Sequence, residues 1–146
     1  MSPGGKTTFL SRVHPDTKET YHYARYQSWT TSVLGELRRL FYPQGEKRLP
    51  VELGCSLVEP LSLAVWYMDD GYHEVKDKMA FIYLGTVSES EAQIAQDVVL
   101  RNFGLRAKVS DKKSKGYALS FPVAETKKLF GLIEPHVLPL FSYKLS

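Results

Sequence analysis

From Leu63 to Met68 the chain carries an apolar run with almost no polar face, and it ends in Asp69, Asp70 and Gly71. A helix of that composition is expected to be buried on nearly all sides, by its own sheet and by a partner helix. The two acids stand where a helix already carries partial negative charge. Carboxylates at such an end are read in two ways. They are solvated aspartates beside a Schellman-type stop, or they hold a hard cation such as Mg²⁺, which takes oxygen ligands and keeps open water positions.

The rest of the composition narrows the classes. The 146 residues have room for one domain or two very small repeats sharing a core. Nine Tyr and seven Phe can build that core without staples, and the single Cys55 excludes a disulfide framework or a cysteine zinc cluster. No apolar run nears the roughly 20 residues of a membrane span, and no basic-then-apolar leader opens the chain. It therefore reads as soluble and intracellular, in cytoplasm or organelle matrix. Charge is unevenly placed. Residues 1–55 hold eight Lys/Arg against five Asp/Glu, residues 56–104 three against eight, and residues 105–146 eight against three. The basic flanks are the strand-like regions. A basic strand surface points to a polyanion or to a merely solvated lysine face.

Local patterning predicts strands at Thr7–His14 and Thr20–Ser28 around a turn at Pro15, after a loose Gly/Pro start at residues 1–5. A helix follows at Thr30–Phe41, with Val33, Leu34, Leu37, Leu40 and Phe41 on one face and Pro43 ending it. Pro60–Met68 is the apolar helix and Met79–Thr86 a strand. Ser88 with Glu91 reads as a capping box for a helix to Phe103, whose apolar face is Ala92, Ala95, Val98 and Val99, closed by Gly104. Leu105–Ser110 and Gly116–Phe121 read as a hairpin, and Val123–Ile133 as the last helix. Hairpin, helix and proline thus occur twice, with Leu10–Val13 resembling Arg106–Val109 and Pro43 resembling Pro135. The expected organisation is a partial first repeat over 1–55 and a complete second repeat over 56–146, together one compact domain.

The stretch Leu63 to Gly71 resembles the signature helix of the LAGLIDADG homing endonucleases, with Leu63, Ala64, Asp70 and Gly71 at matching positions. Trp66 to Gly71 resembles the second motif of the subgroup that reads WYMDDG there. Phe41-Tyr42, Lys47, Leu49 and Pro50 resemble that subgroup's approach to the motif, and Tyr143-Lys144-Leu145 its C-terminal signature. The resemblance covers most of residues 20–146. It implies an α+β fold of αββαββα order, with an antiparallel DNA-binding sheet and helices on its other face. It implies that Asp70 holds Mg²⁺ or Mn²⁺ between a scissile phosphate and a water. Asp69 then offers a carbonyl or an outer-sphere side chain, and Lys144 orients water or neutralises phosphate. Small Ala64 fits a close contact with a second motif helix.

The sheet residues fit a nucleic acid on their own chemistry. Arg106, Lys108 and Ser110 alternate with Leu105, Ala107 and Val109, giving a basic outer face and an apolar inner one. Lys112, Lys113 and Lys115 at the hairpin tip suit phosphates. Arg12, Arg25 and Gln27 suit base edges, since Arg pairs with guanine and Gln with adenine in the major groove. Lys76 and Lys78 follow the motif, where backbone near a cut is in reach. His14, His22, His73 and His136 show no metal-ligand spacing. The expected function is site-specific cleavage of double-stranded DNA, of the kind used in intron or intein homing. The rivals are a non-cleaving nucleic-acid-binding module, such as a maturase acting on intron RNA or a degenerate endonuclease remnant, and an unrelated metal enzyme with a small substrate. Cutting both strands takes two motif acids, and this chain has one. The expected partner is therefore a second copy through Leu63–Met68, forming a homodimer, or an N-terminal half missing from this sequence.

Overall fold

A computed structural model describes residues 5–146, and contacts divide it into two compact units, residues 5–39 and 40–146. The loose start expected for residues 1–5 lies, apart from Gly5, outside the described residues. In the first unit β1 (Gly5–Val13) and β2 (Thr20–Ser28) form an antiparallel hairpin in unbroken register from Gly5 opposite Ser28 to Val13 opposite Thr20. Paired residues share a face, so Lys6, Thr8 and Arg12 lie on the same side as Gln27, Arg25 and Tyr21. The first helix, α1 (Ser32–Phe41), begins in this unit and runs into the second. Its expected apolar face stays partly open, with Val33, Leu34 and Leu37 all exposed.

The second unit carries the rest. A one-turn α2 (Leu53–Ser56) precedes α3 (Pro60–Asp70), and β3 (Gly71–Glu74), β4 (Met79–Gly85) and α4 (Glu89–Phe103) follow. Then come β5 (Lys108–Asp111), β6 (Tyr117–Phe121) and α5 (Val123–Ile133). From α3 to α5 the order is αββαββα. The four strands form one antiparallel sheet in the order β3-β4-β6-β5.

Strand alternation sorts the sheet into two faces. Ala80, Ile82 and Leu84 of β4 and Leu119 and Phe121 of β6 are buried and meet Leu63, Ala64 and Tyr67 of α3, Ala92, Ala95, Val98 and Val99 of α4, and Leu129 and Ile133 of α5. Each fully buried Leu, Ile or Phe stabilises by about 1.5–3 kcal/mol. Two polar ties lock the helices to this layer. Thr126 Oγ1 donates to the Phe121 carbonyl at 2.8 Å and accepts from the Ala80 N–H at 2.9 Å. Asn102 Nδ2 donates to the carbonyls of Gly54 and Leu57 at 2.9 and 2.7 Å, which holds α2 against α4.

Three sequence expectations need correction. Helix α3 buries one face only, and Leu61 and Val65 stay 54% exposed. It also extends through both aspartates, and Gly71 opens a strand directly instead of a turn. The Gly71 N–H bonds the Tyr67 carbonyl, and a Cβ there would strike the Tyr67 backbone, so a side chain is excluded by close approach. The strand expected from Leu105 starts at Lys108, because the Arg106 N–H is taken at 2.8 Å by the Glu125 carboxylate instead of a sheet partner.

The capping box forms as expected. Glu91 Oε2 accepts from Ser88 N–H at 2.8 Å and from its hydroxyl at 2.6 Å, while Oε1 accepts from Leu49 N–H at 3.0 Å. Burial pushes this carboxyl up, but the Ser88 and Leu49 hydrogen bonds and Arg48 outweigh it and hold its pKa below the usual range. A depressed native pKa gives stability that is present above the unfolded value and is lost as pH falls through the native one. Glu91→Ala leaves the buried Leu49 N–H unpaired and is expected to cost about 1–3 kcal/mol by urea unfolding at neutral pH. The deficit relative to the parent should shrink in acid, where the parental carboxyl is itself protonated.

Candidate functional site

Helix α3 delivers Asp70 to the edge of the helix layer, one residue before the sheet begins. The Asp70 side chain is half-buried and Asp69 is exposed. Burial pushes the Asp70 pKa up, and so does the charge of Asp69 beside it. Lys47 and Lys144 draw it down by their charge, and the Trp66 indole N–H, one helical turn back, does so by hydrogen bonding. The upward influences win, so the fold holds this carboxylate in a site that disfavours its ionised form.

Lys144 reaches the same point from the far end of the chain. A 3-10 segment, Pro139–Lys144, crosses the C-terminal end of α3. The Lys144 ammonium donates to the Met68 carbonyl at 2.7 Å and to the Asp69 carbonyl at 3.2 Å. These are helix-end carbonyls without a partner inside the helix. In return, the Tyr67 hydroxyl donates to the Lys144 carbonyl at 3.0 Å. Tyr67 is fully buried, with its ring edge-on to Phe130 at 5.7 Å, and burial raises its pKa, so it stays protonated as the donor. The sequence placed Lys144 near the acid; the structure adds that it caps the helix that carries the acid.

Lys47 is the site residue that sequence reasoning passed over, noting it only as a flank of the motif. It lines a cleft of about 230 Å³ with Trp66, Phe41, Leu49, Leu53, Leu57 and Leu84. Its charge draws the Asp70 pKa down, an influence that sequence spacing alone does not reveal.

A divalent cation is implied by the resemblance, and the donor set can be tested against it. Asp70 and Asp69 offer hard oxygens, and a cation would reverse the two influences that raise Asp70. Among the described residues no group of three or more His, Cys, Asp or Glu gathers into a cage. The residues therefore fit an open site of one or two carboxylates completed by water and phosphate, the form in which Mg²⁺ is commonly held. The Asp69 carbonyl already accepts from Lys144. His73, three residues past Asp70, turns to the opposite layer, edge-on to Phe130 at 5.1 Å.

The outer face of the sheet starts where α3 ends. Tyr72 and Glu74 of β3, Phe81 and Tyr83 of β4, Lys108 and Ser110 of β5, and Ala118 and Ser120 of β6 share it by register. Ser110 Oγ donates to Ser120 Oγ at 3.0 Å, and the Lys112 ammonium stands 4.3 Å from the Phe81 ring centre. Lys113 and Lys115 are exposed in the β5–β6 connection, where Gly116 adopts φ 78 because a Cβ would strike the Gly85 backbone. Arg106 is exposed ahead of β5. Lys76 and Lys78 lie in the β3–β4 turn, and Lys78 lines a cleft with His73, Thr126 and Phe130 on the α5 side. Arg12, Arg25 and Gln27 share one face of the first unit's hairpin.

Comparison with known proteins bears on this geometry. A model of the LAGLIDADG DNA endonuclease family matches residues 6–129. The protein RecA of Mycolicibacterium fallax is 30% identical over 96% of this chain and 36% of its own length. A probable intron-encoded DNA endonuclease 3 of Mycosarcoma maydis is 25% identical over 87% of this chain and 93% of its own length. The chain thus spans little more than a third of that RecA. Among solved structures, the homing endonuclease I-WcaI bound to its DNA recognition sequence superposes with a TM-score of 0.85 at 21% identity, over 97% of this chain and 64% of that one. The N-terminal LAGLIDADG domain of DUF199/WhiA follows at 0.50 and 12%, over 93% and 63%. These likenesses show the fold, and the family match extends over well more than half of the residues. The chain belongs to the LAGLIDADG DNA endonuclease family.

Proposed function

We propose that this chain supplies one catalytic acid and a DNA-reading surface to a site-specific DNA endonuclease that hydrolyses phosphodiesters with a divalent metal. The observation that carries the reading is the position of Asp70. It is the last residue of a helix whose Leu63, Ala64 and Tyr67 face is buried, it lies within the influence of two lysine charges, and it directly precedes a strand whose outward side chains share a face with Lys108. The family supports it. So does the relative described as an intron-encoded DNA endonuclease, and so does the solved neighbour, which is bound to its DNA recognition sequence.

The residues have separable tasks. Asp70 would hold the cation by a carboxylate oxygen, with Asp69 adding charge beside it. Mg²⁺ or Mn²⁺, when bound, supplies Lewis acidity that lowers the pKa of a water and stabilises the departing oxygen. Lys144, fixed on two carbonyls, sets positive charge at the helix end where a phosphate would arrive. Lys47 adds a second positive charge from another segment. Lys112, Lys113 and Lys115 bind backbone through charge and fix register, while Arg106, Lys108 and the hairpin residues Arg12, Arg25 and Gln27 face the bases. One acid cuts one strand. Cleavage of both strands requires a second motif, from another copy or another segment. A partner helix on α3 would meet Leu61 and Val65, since Ala64 is already fully buried.

The test is cleavage of a plasmid library with Mg²⁺ by the parent and by Asp70→Asn. The parent should cut at a defined sequence. The variant should lose cutting by roughly a hundredfold or more while keeping its affinity for the same site. Binding without cutting by the parent would favour the non-cleaving module, and unchanged cutting by Asp70→Asn would remove Asp70 from the mechanism.

The same variant has a stability signature. A carboxyl whose native pKa is raised makes the fold less stable as pH climbs from the unfolded value through the native one, because over that range the native state binds more protons than the unfolded chain. Asp70→Asn should therefore melt at a higher temperature than the parent near neutral pH, with the gap closing in acid. Replacing Lys113 and Lys115 by Ala should lower the slope of log affinity against log salt by about 0.9 for each phosphate no longer neutralised, with little change in the preferred sequence.

A further inference from the structure

The outer face of the four-stranded sheet holds one residue that a polyanion surface should exclude. Among the described side chains that β3–β6 turn outward, Glu74 is the single acid. Asp111 has the opposite parity and is occupied with its own turn, where Oδ1 accepts from the Lys113 N–H at 2.7 Å. Glu74 is half-buried in a shallow hollow shared with Tyr72, Tyr83 and Lys115. It is not loose there. The Tyr72 hydroxyl donates to Glu74 Oε2 at 3.3 Å, which fixes the carboxylate and leaves Oε1 to accept from elsewhere.

An ionised carboxylate carried toward DNA is repelled by every phosphate around it, and burying it without donors is costly. It is tolerated where the duplex itself presents donors. In the major groove only the exocyclic amines do so: N4 of cytosine and N6 of adenine. Guanine presents two acceptors on that edge, and thymine an acceptor and a methyl group. A fixed glutamate would therefore admit the first pair and reject the second. Its place in the chain also sets its place on a target. Glu74 is four residues past Asp70 along β3, about 13 Å of extended strand, or about four base-pair rises of duplex.

We propose that Glu74, oriented by Tyr72, selects a base that presents an amine on its major-groove edge, cytosine foremost and adenine next, within about four base pairs of the cut. The assignment rests on the DNA-binding reading above and adds to it the base chemistry at one position.

Selection of binders from a randomised duplex library, without metal, tests it with the full chain. The parent should enrich cytosine or adenine at one position near the inferred cut. Glu74→Ala should flatten the preference at that position by about tenfold and leave the remaining positions of the motif unchanged. Glu74→Gln, close in shape, should shift that position toward adenine, which a carboxamide meets in bidentate fashion. Tyr72→Phe should weaken the same preference without moving it. Three results overturn the assignment: guanine or thymine at the position in the parent, an unchanged motif in Glu74→Ala, or a uniform gain in affinity for all sequences, which marks Glu74 as simple repulsion. If the parent enriches no motif at all, sequence-selective DNA binding itself fails and this assignment falls with it. A parental motif that Glu74→Ala leaves intact sinks the assignment alone.

Discussion

At its C-terminal end helix α3 itself gathers charge of one sign. The unpaired helix carbonyls point there, Asp69 and Asp70 follow, and the helix dipole adds its negative pole. Left alone, that end would fray or protonate. Lys144 opposes the fraying by donating to the Met68 and Asp69 carbonyls, its charge pulls the Asp70 pKa down without overcoming burial and Asp69, and the buried Tyr67 hydroxyl holds the Lys144 backbone in turn. This reciprocal clasp joins residues 76 and 77 positions apart in sequence, so the site exists only when the chain end is folded onto the motif helix. The clasp does not neutralise Asp70. Its carboxyl remains raised, which means the fold keeps a negative charge poorly satisfied at one point on its surface. That is the condition under which a divalent cation and a phosphate together gain most from arriving.

The sheet turns this single point into a surface. Because α3 runs into β3 with no connecting loop, the acid and the outward strand residues are joined by continuous regular structure, and the Gly71 N–H is bonded to the Tyr67 carbonyl at the junction. Under the proposed function, a cutting group and reading groups on adjoining regular elements would have a defined spacing, which site-specific cleavage needs. Positioning by a sheet is tighter than positioning by loops. The exposed lysines of the β5–β6 connection, by contrast, are on flexible stems, suited to phosphates whose positions vary little with sequence.

Much of this was legible in the residues alone, and what was missed has identifiable causes. Helix α4 announced itself by its capping box, its spacing of Ala92, Ala95, Val98 and Val99 and its terminal Gly104, all local signals. The order of α3 through α5 followed from the motif and its flanks. Strand β3 was missed because four residues starting at a glycine carry no alternation long enough to read. The start of β5 was misplaced because a distant side chain, Glu125, takes the Arg106 N–H, and no local pattern reveals that. The exposed side of α3 was missed because an apolar run without periodicity says only that burial is wanted, not how much of it one chain provides. For the candidate site, Asp70 and Lys144 were named from the motif and the tail and the structure brings them together, while the proximity of Lys47 needed the fold to bring its loop beside the helix.

The uneven charge along the sequence acquires a simple meaning in three dimensions. The middle of the chain is acidic, yet three of its acids, Glu89, Glu91 and Asp97, belong to α4, which packs on the inner face of the sheet. The basic residues 108–115 belong to the strand and turn beside the outer face. Within residues 40–146 the sheet thus sets these three acids on one side and the cluster of Lys108, Lys112, Lys113 and Lys115 on or beside the other face, which suits that face to a polyanion. Against that pattern Glu74 is an acid on the outer face, and Asp70 is one at the edge of the helix layer where that face begins. Under the proposed function Asp70 would bind the cation, and burial and the charge of Asp69 raise its pKa in the cation's absence. Among the described residues the Glu74 side chain pairs with no cation and caps no N–H, and its partner is a neighbouring hydroxyl. An acid kept on the wrong side of an otherwise sorted surface needs an external donor to be stable when that surface is covered. On a nucleic acid the donors available to it are base amines, which is why the exception reads as recognition and not as leftover charge.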